Sequence, residues 1–170
     1  MKTIIITGGT KGIGSDIARK FLKEDWRVLI GARQKSGLAL ENIDGLKFQK
    51  IDVKNESEHH ALVQTALDWT GHLDCFINCA GFSQWNPVNS VDEDFWNNMI
   101  DTNLKGTFWG CKIAAENLYE GSSIVNISSL AGKRGSANNS VYCASKFGTN
   151  GITQALAKEL GSKGIRVNAV

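Results

Sequence analysis

Residues 2–14 read Lys2-Thr3-Ile4-Ile5-Ile6-Thr7-Gly8-Gly9-Thr10-Lys11-Gly12-Ile13-Gly14. The run from Lys2 to Thr7 is rich in β-branched residues and halts at glycine, the pattern of a short buried strand. From Ile13 to Glu24 the apolar residues Ile13, Ile17, Ala18, Phe21 and Leu22 fall on one helical stripe. A strand passing through a glycine turn straight into a helix is the first half of a βαβ unit. Working outward, the same alternation continues. Arg27–Gly31 and Lys47–Ile51 read as strands, Glu56–Thr70 as a helix and Leu73–Asn78 as a strand. Asp92–Ile100 and Leu104–Leu118 read as helices, with Asp92 as the N-cap of the first. Ser123–Ile127, the long helix Val141–Leu160 and the strand Ile165–Val170 complete the chain. Strict alternation implies parallel strands joined by crossover helices, hence an α/β, doubly wound (Rossmann) parallel sheet with helices on both faces. Residues 1–170 read as a single domain without repeat or linker.

Composition narrows the function classes. The chain has 170 residues, 42% of them hydrophobic, and a formal net charge of +2. That balance removes the electrostatic case for nucleic acid or an anionic membrane as the main partner. No apolar run approaches the roughly 18 residues of a membrane span. The apolar stretch behind Met1 is too short for a signal-peptide core. Cys75, Cys79, Cys111 and Cys143 follow no zinc or redox spacing and read as reduced thiols of a cytoplasmic protein. His59, His60 and His72 have no partners at metal spacing and read as surface residues, so no metal site is expected.

The glycine turn has a chemical use. Glycines there let the backbone approach a phosphate, and the helix that follows presents free N–H groups and a positive dipole end. Its spacing is G-x-x-x-G-x-G. With Asn78-Cys79-Ala80-Gly81 after the fourth strand, Asn103, the Ser128-Ser129 pair and Tyr142-Cys143-Ala144-Ser145-Lys146, the chain resembles the short-chain dehydrogenase/reductases. The family usually shows N-N-A-G where this chain has Cys79.

The resemblance implies a dinucleotide site made of Gly8, Thr10, Lys11, Gly12, Ile13, Gly14, Arg33, Asp52, Val53, Asn78, Ala80, Gly81, Tyr142 and Lys146. Ala32 stands where NAD-users of the family commonly carry Asp, and Arg33 and Lys11 are cations aimed at a 2′-phosphate. NADP(H) is therefore the expected cofactor, with NAD(H) second. It also implies Asn103, Ser129, Tyr142 and Lys146 as the catalytic set. Ser129 is preferred to Ser128 because the resemblance places the family's serine at this distance, thirteen residues before Tyr142. Tyr142 and Lys146 are four apart on one helix, so their side chains share a face. Free tyrosine titrates near pH 10. An ammonium about 4 Å away in an effective dielectric of about 20 favours a phenolate by about 4 kcal/mol.

The activity so implied is hydride transfer between the nicotinamide and a carbonyl or alcohol carbon, with Tyr142 as general acid/base. Substrates of the family include 3-oxoacyl thioesters on a carrier protein, sugars and small ketones. Two readings compete: a non-catalytic NADP(H)-binding regulatory or structural subunit, and an epimerase or dehydratase of the extended group. Family members pair as homodimers or homotetramers through helices at 104–118 and 141–160. They also continue past the last strand with a substrate-loop segment, which this chain is expected to lack.

Overall fold

The computed structural model describes residues 1–170, the Leu40 side chain apart. Six strands form one sheet: β1 (Thr3–Thr7), β2 (Arg27–Ala32), β3 (Leu46–Lys50), β4 (Cys75–Asn78), β5 (Ser123–Asn126) and β6 (Arg166–Ala169). All neighbours are parallel, in the order β3-β2-β1-β4-β5-β6. The helices are α1 (Gly12–Lys23), α2 (Glu56–Thr70), α3 (Glu93–Ile100), α4 (Gly106–Asn117) and α5 (Ser140–Gly161). The strand order reverses between β1 and β4, the position at which a doubly wound sheet opens a crevice. Thr7 pairs with both Gly31 and Asn78, so the carboxyl ends of the three central strands stop level with one another. That register collects their exit loops at one edge.

Side chains alternate across β1, as strand geometry requires. Ile4 and Ile6 join Ala18, Val28 and Ile30 in a core beneath α1, whereas Ile5 joins Leu29, Leu62, Phe76, Ile113 and Leu160 on the other face. Both faces of β1 are therefore dry, which is why its sequence reads as a continuous apolar run. Each such isoleucine contributes on the order of 1.5–3 kcal/mol by leaving water. Among the described residues, no helix is long and apolar enough to cross a membrane.

Two expectations change. The helices read at 92–100 and 104–118 are one continuous rod, because a π-turn at Asp101–Lys105 joins α3 to α4. Asp92 caps its start, accepting from the Phe95 N–H at 2.8 Å. The second correction is His59, which is 0% exposed rather than on the surface. The buried stripe of α2 runs His59, Leu62, Val63, Ala66, which places the histidine under the β3–α2 loop at the Val53 carbonyl. Of the cysteines, Cys75, Cys111 and Cys143 are buried and Cys79 is half-buried, all of them free thiols.

Candidate active site

The level strand ends enclose a cleft of about 870 Å³. One end is the glycine turn. Gly8 has φ +72°, and a Cβ on it would sit 2.8 Å from the Ala80 backbone. A Cβ on Gly14 would lie 2.5 Å from the Gly8 carbonyl oxygen. Those two glycines are required for packing. Gly12 differs: its φ is +53° and a Cβ there would meet nothing within 4 Å, so the space beside it faces the cleft. α1 begins at this residue without a side-chain cap and without an acid in its first turn. An uncapped helix start beside open space is a competent phosphate site. Thr10, Lys11 and Ile13 line the cleft with it, Ile13 being 62% exposed.

Arg33 follows the end of β2 and shares the cleft wall with Lys11, Ala32, Gln34 and Ser36. Both cations are exposed, and among the described residues neither forms an ion pair. Among the described residues, neither cation is already neutralised by a carboxylate. Across the cleft, Ile51, Asp52 and Val53 form a wall on the β3–α2 loop. The Asp52 N–H donates to Glu58 Oε2 at 2.6 Å, and its Oδ1 accepts from the Lys54 N–H at 3.1 Å.

The segment after β4 divides its work. Cys79, Ala80 and Gly81 line the cleft, and Thr7 Oγ1 accepts from the N–H groups of Cys79 and Ala80 at 3.2 Å each. Asn78, expected among the cofactor residues, is outside the cleft lining. It is buried in the sheet, and its Nδ2 donates to Asn126 Oδ1 at 2.9 Å. Asn126 Nδ2 in turn reaches Thr153 Oγ1 on α5 at 2.9 Å. α4 closes over this pair through Gly110, where a Cβ would come within 2.0 Å of Asn78 Oδ1. The adjacent Cys111 thiol is pushed by burial up to about 12 and stays protonated, donating to Asn126 Oδ1.

α5 carries Tyr142 and Lys146 into the cleft. Lys146 is 6% exposed, lies 5.7 Å from the Tyr142 ring centroid, and donates from Nζ to the Ile127 carbonyl at 2.7 Å. Burial pulls its pKa below the ordinary 10.5. The two serines separate. Ser128 lines the cleft, with a buried Oγ that has no partner among the described residues. Ser129 caps the short turn Leu130–Gly132, accepting from the Ala131 N–H at 3.1 Å. Accepting leaves its own O–H free to donate.

Asn103 is fully buried behind the cleft, where the π-turn aims its side chain at Phe82. Its Oδ1 accepts from the Phe82 N–H at 3.0 Å, and its Nδ2 donates to the Phe82 carbonyl at 2.8 Å. Its own carbonyl accepts from Thr107 Oγ1 at 2.8 Å. Sequence reading ranked Ser128 below Ser129, and it missed Phe82 and the Ile127 carbonyl, the partners of Asn103 and Lys146. Only the serine had a signal, as the neighbour of Ser129.

The comparisons agree with this architecture. The family described as short chain dehydrogenase matches residues 2–170. A 3-oxoacyl-[acyl-carrier-protein] reductase of Chlamydia pneumoniae is 34% identical, with 99% of this chain and 71% of that protein covered. A short-chain dehydrogenase/reductase of Pyricularia oryzae is 35% identical, with 97% of this chain and 65% of that protein covered. A variant of actinorhodin polyketide ketoreductase, solved with NADPH, superposes with a TM-score of 0.91 at 34% identity, covering 99% of this chain and 68% of the other. The chain thus spans about two thirds of the length of these relatives.

Proposed function

The chain belongs to the short-chain dehydrogenase family, and on that premise we propose that it is an NADPH-dependent oxidoreductase acting on a carbonyl or alcohol group. The observation that carries the reading is one cleft holding both an uncapped helix start and the Tyr142–Lys146 pair. NADP(H) bound there supplies or accepts the hydride. The chain's own residues do the rest. The first N–H groups of α1 hold the pyrophosphate at Gly12, where no Cβ intrudes. Lys11 and Arg33 hold the 2′-phosphate. The Tyr142 hydroxyl gives its proton to the carbonyl oxygen, or takes it back from the alcohol. Lys146, fixed by the Ile127 carbonyl, keeps a positive charge 5.7 Å from the centre of the Tyr142 ring. The Ser129 O–H donates to the oxygen on which charge develops. Asn103 keeps the Gly81–Phe82 wall in place. A 3-oxoacyl thioester is the first substrate class to try, since one relative is named a 3-oxoacyl-[acyl-carrier-protein] reductase.

Fluorescence titration with NADPH and NADH tests the cofactor reading. Loss of a charge-assisted contact of roughly 1.5–3 kcal/mol corresponds to about ten- to a hundredfold in affinity. Arg33→Ala is expected to weaken NADPH binding by that factor and to leave NADH binding within about twofold. Equal losses for both cofactors, or none, would overturn the assignment of Arg33.

We also infer that the protein is a homo-oligomer. Phe108 on α4 is 41% exposed and Phe147 on α5 is 48% exposed, large aromatic surfaces on the two helices through which the family pairs. Sedimentation velocity is expected to give at least the dimer mass for the natural protein and a smaller species for Phe147→Glu. A monomer in the unaltered protein would end this inference.

A further inference from the structure

His59 is fully buried, yet it has no part in the chemistry above. Its Nε2 lies 2.9 Å from the Val53 carbonyl oxygen. A carbonyl only accepts, so Nε2 carries the hydrogen, and the neutral ring then has a bare Nδ1. Among the described residues that Nδ1 has no partner. Val53 lines the cleft and is pressed from behind by α4, where a Cβ on Gly106 would stand 2.9 Å from its side chain. One residue earlier, Glu58 accepts from the Asp52 N–H at 2.6 Å. Two consecutive residues of α2 therefore grip two consecutive residues of the cleft wall, one by its N–H and the other by its C=O.

We propose that His59 is a positioning residue for the adenine end of the cofactor: its Nε2–H holds the Asp52–Val53 wall in the binding geometry, and acid releases that hold. The proposal rests on reading the cleft as an NADP(H) site. Protonation would give Nδ1 a hydrogen with no acceptor in a dry environment. Burial, the largest influence, lowers the pKa from its ordinary 6.5. Against burial, the Val53 carbonyl, to which an imidazolium Nε2–H would still donate, and Glu58 and Glu56 on α2 favour the charged ring, while His60 opposes it. From the packed elements, Phe76 of β4 offers only a ring, 6.3 Å away, Asp52 and Lys54 lie on the gripped loop, and Lys112 of α4 is paired with Glu56. The sign follows. The folded state resists a proton that the unfolded chain accepts at about pH 6.5, so the hold is full above that pH and declines as pH falls below it.

Three proteins test this: the unaltered chain, His59→Gln, whose amide N–H can reach the same carbonyl without titrating, and His59→Leu, which has no donor. At pH 7.5, His59→Leu is expected to bind NADP⁺ about tenfold more weakly, the effect of one buried hydrogen bond, and His59→Gln to stay within about threefold. Between pH 7.5 and pH 5.5, the ratio of dissociation constants, unaltered over Gln variant, is expected to rise severalfold. Titration of the 2′-phosphate is common to both proteins and cancels. A ratio independent of pH, or a Leu variant that binds within twofold, overturns the proposal. If the Leu variant does not fold, the pH dependence of the ratio decides alone. If the unaltered protein binds no NADP⁺, the cofactor reading has failed instead. Amide exchange of residues 51–54 in the ligand-free chain then decides on the grip. Faster exchange at pH 5.5 relative to the Gln variant supports it, and equal exchange refutes it.

Discussion

Tyr142→Phe is expected to lower kcat/KM for carbonyl reduction by about a thousandfold, within the 10²–10⁴ range of a lost general acid. The ring remains, so its packing over Lys146 survives; only the proton-carrying oxygen goes. NADPH affinity should weaken less than tenfold. Steady-state rates on a panel of 3-oxoacyl thioesters and small ketones, alongside NADPH titration, separate the two quantities. Undiminished turnover would remove Tyr142 from the mechanism, while weak binding with normal turnover at saturation would make it a cofactor residue only. The serines belong to the same experiment. Ser129→Ala should cost about a hundredfold in kcat, as for one lost oxyanion donor, and Ser128→Ala less than tenfold. Ser129 has the advantage that the Ala131 N–H fixes its oxygen and leaves its hydrogen free. The reverse order would transfer the role to Ser128, whose hydroxyl, unpaired among the described residues, borders the cleft.

Gly110→Ala should produce the largest loss of stability. The new methyl would stand 2.0 Å from Asn78 Oδ1 and 2.9 Å from the Phe76 ring, with the sheet behind them. Either α4 retreats or Asn78 turns away from Asn126. Overpacking of this kind costs about 1–3 kcal/mol, and breaking the buried amide bond adds about 1 kcal/mol. A loss of about 2–4 kcal/mol is a large share of the 5–15 kcal/mol typical of a domain. For a chain of this size it should lower Tm by about 10 °C. Urea unfolding monitored by tryptophan fluorescence measures it, and a loss below about 1 kcal/mol would show that α4 has room to yield.

The sheet was legible because its central strands are dry on both faces, so Ile4, Ile5 and Ile6 of β1 appear as an unbroken apolar run. The glycine turn was legible because Gly8 and Gly14 are fixed by contacts that no side chain permits. The π-turn was not. One extra residue between Ile100 and Gly106 rotates the following face by roughly 100°, and a search for a single 3.6-residue period breaks there. His59 was misread for a different reason. By apolar spacing the sequence offers Ala61, Leu62, Thr65, Ala66 and Trp69 as the stripe of α2, yet Ala61 is exposed. The series 59, 62, 63, 66 has equally good helical spacing and is the buried one. A histidine beside another histidine suggests solvent, and only the position of the Val53 carbonyl shows why one of them is inside. Asn78 lies at a strand end, where residues face alternately in and out, and the register alone decided that it points into the sheet.

Lys11 and Arg33 stand in water with no partner to lose, whereas Lys146 and Asn103 are tied into the interior. Changes at the first two positions should leave folding nearly untouched, since exposed substitutions usually fall within about 0.5 kcal/mol. With the 2′-phosphate assigned to these two cations as proposed above, selection could retune which reduced nicotinamide pool the protein draws upon, one surface codon at a time, without passing through an unfolded ancestor. Lys146 and Asn103 have no such freedom, since a change at either leaves the Ile127 carbonyl or the Phe82 backbone without its buried partner.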